Sequence, residues 1–211
     1  MAQPVRHPLF ARVYERIAVL GEGRGAAEHR RTLLEGCTGR VIELGAGSGA
    51  NFAYYPASVS EVVAVEPEGY LREQAQRACE HAPVRVSVVD AHADHLPGAS
   101  ESFDVGVVSL VLCSVPDQQR ALAQLFGMIR PGGELRFYEH VIARSARDAR
   151  LQRLADATFW PHLAGGCHLA RDTEHAIEQA GFEIQACRRF AFSPAPLTPP
   201  APHILGTATR P

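Results

Sequence analysis

The residues best placed to do chemistry lie in one stretch, Val41-Ile42-Glu43-Leu44-Gly45-Ala46-Gly47-Ser48-Gly49-Ala50-Asn51. Two β-branched residues and a leucine read as a short buried strand, which three alternate glycines bring to a stop. A glycine turn lets the backbone pass close to a ligand without a Cβ clash. A helix beginning at Ala50 would aim its free N–H groups at the same point, and Asn51 to Tyr55 reads as a short helix that Pro56 ends. Glu43 gives the turn its character. A carboxylate at the carboxyl end of a strand repels phosphate and suits a cationic or amine-bearing ligand.

A second carboxylate supports the first. Glu61 to Pro67 reads as another buried strand, and its Glu66 follows Gly45 by 21 positions. That is close to the ~20 at which an acidic residue on the neighbouring strand takes a ribose diol. Among groups that could move a proton, His140 at the end of a fifth strand is the first candidate base, with His162 and His168 after it. For each, the competing reading is a structural or surface histidine. No spacing of His, Cys, Asp and Glu resembles a metal site.

These residues need a scaffold that brings strand ends together. Apolar runs predict strands at 40–44, 61–67, 84–89, 103–112 and 134–139, with helices or turns between them. Near-continuous apolar strands alternating with helices specify a parallel sheet covered on both faces, with ligands at the carboxyl ends of the strands. Those ends carry Glu43 to Gly47, Glu66, His92 to Asp94, Ser109 to Cys113, and Glu139-His140. A helix is expected at 9–20 with Phe10, Val13, Tyr14 and Ile17 on one face, and another from Ala26 to about Glu35. Pro67 is expected to open a helix. Arg130-Pro131-Gly132-Gly133 reads as a sharp turn, and Trp160 to His168 as an irregular loop. Arg144, Arg147, Arg150 and Arg153 read as a solvated face of a helix over 146–159. A sixth strand at 182–192 and a final one at 203–207 can pair as a hairpin.

The whole chain sets bounds on function. It has 211 residues, a net charge of -2 and 46% hydrophobic residues, which fits one soluble domain with a real core. Nothing in that charge asks for a nucleic-acid partner. All 21 basic residues are arginine, so Schiff-base and lysine-base chemistry are excluded. Cys37, Cys79, Cys113, Cys167 and Cys187 are scattered without a C-x-x-C pair and read as reduced thiols. No apolar run approaches the ~20 residues of a membrane span, and the first residues lack a signal-peptide core. A cytoplasmic protein without a membrane partner is expected.

Gly45-x-Gly47-x-x-Ala50 also fits the dinucleotide fingerprint of dehydrogenases. Glu43, the Arg130-Pro131-Gly132-Gly133 turn and the terminal hairpin together resemble the class I S-adenosylmethionine-dependent methyltransferases, from about residue 30 to the carboxyl end. Further stretches are similar to the methyltransferase-like protein seven family, the animal alkyl-thiol S-methyltransferases. These are Gly49-Ala50-Asn51-Phe52 with Tyr55-Pro56, Leu110 to Val115, Glu139-His140-Val141, and Gly166-Cys167-x-Leu169-x-Arg171. His168 departs from the asparagine of that family, and this chain lacks the membrane anchor with which the animal members begin.

The resemblance implies a three-layer Rossmann-like fold, with a mostly parallel seven-stranded sheet and a C-terminal antiparallel hairpin. It implies one methyltransferase domain over 1–211: a helical cap at 1–36, a cofactor core at 40–140, and substrate-side helices with the hairpin at 141–211. Glu43 would hold the methionine ammonium, and Gly45, Ala46, Gly47, Gly49 and Asn51 would line the cofactor. Glu66 would take the ribose, Pro67, His92, Ala93 and Asp94 would border the adenine, and Ser109 and Leu110 would offer carbonyls to the methionine end. Tyr14, Cys113, Trp160 and Cys167 are the candidates for the acceptor side. The implied activity is methylation of a small molecule, with a thiol as one acceptor. A phenol or quinol acceptor, an NAD(P)-dependent oxidoreductase and a non-catalytic cofactor-binding module stand as alternatives.

Overall fold

The computed structural model describes residues 8–196 and 198–211, with side chains from residue 15 onward. Its seven strands are β1 (Gly39–Leu44), β2 (Val59–Val65), β3 (Val86–Val89), β4 (Phe103–Ser109), β5 (Ile129–His140), β6 (Glu183–Phe192) and β7 (Ala201–Thr209). They form one sheet in the order β3-β2-β1-β4-β5-β7-β6. β1 to β5 run parallel, while β7 is antiparallel to both β5 and β6. This is the three-layer Rossmann-like methyltransferase fold with its reversed terminal hairpin.

Each strand faces two cores because side chains alternate across the sheet. Ile42, Leu44, Val108, Leu135 and Phe137 pack on α4 (Gln118–Met128) and α7 (Thr173–Gln179). Val41, Val62, Val105, Val107 and Tyr138 pack on the other side, against Leu33 and Leu34 of α2 (Ala27–Leu34) and Ala75 of α3 (Gly69–Ala78). α1 (Pro8–Gly21) leads into α2, and α5 (Ala146–Asp156) and α6 (Trp160–Leu163) follow β5. The strand order reverses between β1 and β4, and such a switch point opens a crevice at the carboxyl ends of the two strands.

Four expectations need correction. The Arg130 to Gly133 turn is a bulge inside β5: Phe103 faces Ile129, but Val105 faces Glu134. The extra residues are accommodated by Gly132 at φ +75° and tied by paired bonds between residues 132–133 and Arg210. Pro67 lies just outside α3, whose cap is Glu68, accepting from the Leu71 N–H at 2.8 Å. The loop from Trp160 holds the one-turn helix α6, with Pro161 in its first turn. β4 stops at Ser109, three residues short of the expected Leu112. The arginine row on α5 is exposed, as its spacing indicated.

Two glycines respond oppositely to a methyl group. In β7, a Cβ at Gly206 would lie 2.0 Å from the Ala186 carbonyl oxygen and 2.6 Å from Phe137. In α4, a Cβ at Gly127 meets nothing within 4 Å. Gly206→Ala should therefore destabilise by about 1–3 kcal/mol. Gly127→Ala should stabilise by about 0.5–1 kcal/mol. Denaturant titration of the two variants against the parent measures both signs.

Candidate functional site

The turn after β1 is glycine for a steric reason. Gly45 sits at φ +68°, and a Cβ there would be 2.2 Å from Cγ2 of Val111, so the turn lies directly against the loop after β4. No helix starts at Ala50, and the short helix expected over 51–55 is a single 3-10 turn. Residues 47–50 are a turn, and the 3-10 turn at Phe52–Tyr54 follows before Pro56. A chain held between a left-handed Gly49 and a proline seven residues later has no room for two helical turns. The glycine turn therefore has no helix dipole behind it. Instead the Gly47 N–H donates to Glu66 Oε2 at 2.8 Å, while Glu66 Oε1 accepts from the Glu68 N–H at 2.9 Å. Burial pushes the Glu66 carboxyl above its ordinary range despite those two donors.

Glu43 is 1% exposed, and both of its oxygens are engaged. Asn51 Nδ2 donates at 2.8 Å and the Tyr55 hydroxyl at 2.7 Å. Burial raises the Glu43 pKa to about 7, against the pull of these donors and of Arg30. Arg30 reaches in from α2 and is 5% exposed. Its Nη1 donates to Asn51 Oδ1 at 2.8 Å and to Ser109 Oγ at 3.3 Å, and its Nε donates to Glu22 Oε1 at 2.7 Å. A continuous polar chain thus runs Tyr55–Glu43–Asn51–Arg30–Glu22. It backs a concavity lined by Ala18, Arg30, Glu43, Gly45 to Ser48, Ala50, Asn51 and Ser109. One guanidinium and one carboxylate, set in the same wall, match the two charges of an amino acid. Arg30 lies among other arginines on an ordinary helix, and nothing in its local sequence marks it.

The remaining sites expected for a cofactor line the neighbouring strand ends. Pro67, His92 and Ala93 are half-buried, and the His95 N–H closes a tight loop onto the His92 carbonyl at 3.0 Å. Asp94 is half-exposed, with Arg120 at 3.9 Å. Leu110 adopts φ +57°, unusual for a residue with a branched side chain. This kink is held from both sides: its N–H donates to the Tyr138 carbonyl at 2.7 Å, and Glu139 captures the next turn. Glu139 Oε1 accepts from the N–H groups of Val111 and Leu112 at 3.0 and 3.1 Å. Glu139 is fully buried, its Oε2 has no partner, and burial drives its carboxyl well above the ordinary range.

Glu139 and His140 point to opposite faces of the sheet. His140 is 7% exposed, and neither ring nitrogen has a hydrogen-bond partner. Its ring lies 5.4 Å from that of His203, which contacts Phe190, Phe192 and Tyr138. Burial lowers both imidazoles to about 4, so they are neutral at physiological pH. Such a weakly basic His140 makes a poor proton acceptor for an alcohol or phenol. His162 is exposed on α6, and His168 lies 3.9 Å from Asp156, whose oxygens already accept the Leu169 and Ala170 N–H groups. Trp160 is half-buried, with an indole N–H that finds no acceptor. Cys113 and Cys167 come near enough that each shifts the other, Cys113 upward and Cys167 downward. The Tyr14 side chain lies outside the described residues.

Known proteins were compared with this chain. A methyltransferase domain family matches residues 42–137. The thiol S-methyltransferase TMT1B of Mus musculus is 36% identical over 185 residues, which is 84% of this chain and 74% of that protein. The N-methyltransferase NodS of Bradyrhizobium japonicum WM9, solved with S-adenosyl-L-homocysteine, superposes with a TM-score of 0.64 at 19% identity, covering 91% of this chain and 88% of NodS. The [4+2]-cyclase SpnF superposes with a TM-score of 0.62 at 19% identity, covering 93% of this chain and 80% of SpnF. A fold shared with a cyclase does not fix the reaction, so the chemistry must be argued from the site.

The buried histidines give the molecule a testable pH response. Folded pKa values of about 4 lie below the ordinary 6.5, so the unfolded chain binds more protons between those limits. Their contribution is complete above pH 6.5 and is lost as the pH falls toward 4, by about 3 kcal/mol per histidine. Glu43, raised to about 7, works in the opposite sense between pH 7 and 4.5. The stability difference between the parent and a His140→Phe/His203→Phe variant, followed by denaturant titration from pH 7 to 4, isolates the histidine part. The variant should gain on the parent as the pH falls.

Proposed function

The chain belongs to the S-adenosylmethionine-dependent methyltransferase family that includes the thiol S-methyltransferase TMT1B, and from that premise we propose that its methyl acceptor is a small thiol. The weak basicity of His140 carries this reading. A thiol with a pKa near ~8.5 is already partly ionised at neutral pH, whereas an alcohol or phenol needs a base to remove its proton. The site holds two neutral imidazoles and an elevated carboxyl where such a base would stand. The relative's thiol acceptor supports the same reading.

Residues 40–140 would form the cofactor core, with 1–36 as a cap and 141–211 on the acceptor side. The cofactor, when bound, supplies the electrophilic methyl group. In this reading Arg30 takes the methionine carboxylate through a charge-assisted hydrogen bond. Glu43 faces the ammonium, and that positive charge restores the ionised form which burial opposes. Glu66 keeps the glycine turn in place through Gly47 and offers its remaining lone pairs to the ribose hydroxyls. His92, Ala93, Asp94 and Pro67 border the adenine, and the kinked Leu110 turns its carbonyl and that of Ser109 toward the methionine end. His140, Cys113, Trp160 and Cys167 surround the acceptor and exclude water. Alignment of sulfur and methyl is the main contribution the protein makes.

Two measurements test this reading. S-adenosylhomocysteine release should occur with alkyl thiols, and the pH at which turnover rises should follow the pKa of the thiol offered. Turnover confined to phenols or quinols, or a pH profile fixed by the enzyme whatever the thiol, would overturn it. For Arg30, the Arg30→Met variant should weaken binding of S-adenosylhomocysteine by about 1–3 kcal/mol, the usual loss of a hydrogen bond between charged groups. Binding of methylthioadenosine, which lacks the amino-acid part, should be unaffected. Calorimetry with the two ligands separates loss of a carboxylate contact from general damage to the site.

A further inference from the structure

The methyl transfer just described uses no cysteine nucleophile, yet two cysteines from distant parts of the chain meet at the acceptor side. Cys113 belongs to the turn held by Glu139 and is 3% exposed, while Cys167 follows α6 and is half-buried. Their segments are tied together several times. The His168 N–H donates to the Cys113 carbonyl at 2.8 Å. The Arg171 guanidinium donates to the Leu112 carbonyl, and to the Val115 carbonyl at 2.6 Å. A Cβ at Gly166 would lie 3.3 Å from the Ser114 carbonyl. Two thiols carried on segments tied together in this way need only local movement to become bonded.

The surroundings suit thiol chemistry as well. Contact with Cys113 and the nearby Trp160 indole N–H favours the Cys167 thiolate, even though that indole makes no hydrogen bond of normal geometry. Arg171 adds positive charge. Glu139 holds the turn that carries Cys113 through the Val111 and Leu112 N–H groups. The pair therefore has a half-buried sulfur whose thiolate is favoured and a buried resolving sulfur.

We propose that Cys113 and Cys167 are a reversible dithiol–disulfide site that closes the acceptor side under oxidation by hydroperoxides. The Cys167 sulfur attacks the terminal oxygen of the hydroperoxide and breaks its O–O bond. This leaves Cys167 as a sulfenic acid, and the departing oxygen takes a proton to become water or an alcohol. The Cys113 sulfur then attacks the sulfenic sulfur and gives up its own proton. The S–S bond forms and hydroxide leaves, taking that proton to become water. In total the dithiol loses two electrons and two protons, and the hydroperoxide is reduced. Forming an S–S bond of about 2.05 Å draws the Cys167 loop onto the tip of β4. The effect on turnover rests on the acceptor side assigned above, and there thiol acceptors are themselves reductants that reopen the site.

The test treats the full chain with hydrogen peroxide, then alkylates free thiols and maps the peptides. The expected product is a Cys113–Cys167 disulfide, reversed by a dithiol reductant, with methyl transfer lost on oxidation and recovered on reduction. Cys113→Ser and Cys167→Ser should each keep, after peroxide, the turnover of their own reduced form. A Cys79→Ser/Cys187→Ser variant should respond like the parent. A crosslink through other cysteines, a sulfenic or sulfinic Cys167 beside a free Cys113, or an oxidised enzyme with undiminished turnover would overturn the proposal. Mapping needs no turnover, so a reduced protein that methylates no thiol counts against the acceptor reading while the disulfide is still decided.

Discussion

The site depends on the burial of one carboxylate. Glu43 stands where the sheet is covered on both faces, and an isolated ionised group there would be costly. The structure offsets this with two neutral donors, Asn51 and Tyr55, and one cation behind them, Arg30. Asn51 and Tyr55 flank the 3-10 turn on its two sides, and Arg30 comes from α2. Removing any one leaves a buried polar atom unsatisfied, at about 1–3 kcal/mol. The same network that keeps Glu43 in the core fixes the glycine turn, the cap helix and the tip of β4 relative to one another. The result is a carboxylate poised near neutrality, which a cation would readily ionise.

The strand order explains why residues so far apart in sequence meet. Because the order reverses between β1 and β4, Glu43 and Ser109 become neighbours across a crevice, with Glu66 and Glu139 on the flanking strands. Three acidic residues at three strand tips do three different things. Glu43 is held by side chains, Glu66 holds the glycine turn through Gly47, and Glu139 holds the turn after β4 through Val111 and Leu112. Two of the three therefore build backbone geometry that no side chain of the turns could enforce alone.

Much of this was legible in the sequence, for reasons that can be named. Strands such as Glu61 to Val65 and Phe103 to Val108 are apolar on both sides, so they could only be buried in a parallel sheet. Acidic residues at their ends stood out against that background. What was not legible depended on tertiary contacts. The kink at Leu110 sits in an apolar run that favours a strand, and it exists because the Tyr138 carbonyl and Glu139 pull the chain inward. A helix start at Ala50 loses to the left-handed Gly49, and the short helix before Pro56 tightens to a 3-10 turn. Arg30 is one of 21 arginines, and only the packing of α2 against the glycine turn distinguishes it. The approach of Cys113 to Cys167 joins positions 54 residues apart, which no local pattern reports.

The proposed acceptor side follows a different logic from the proposed cofactor side. Around the cofactor, charges are paired and held by fixed donors. Around the acceptor, the same low polarity keeps His140 and His203 neutral and Glu139 above its ordinary range, so no group there is ready to pull a proton from a weak acid. An apolar site without a strong base is selective in itself. It admits a nucleophile that ionises unaided, and it rewards one that sheds its water easily, since a large polarisable sulfur anion is less tightly hydrated than an oxygen anion. The depressed imidazoles are on this view part of the specificity. A stronger base at that position would require a partner for the imidazolium, and that partner would bring charge next to His203 and the rings of Phe190, Phe192 and Tyr138 that it contacts.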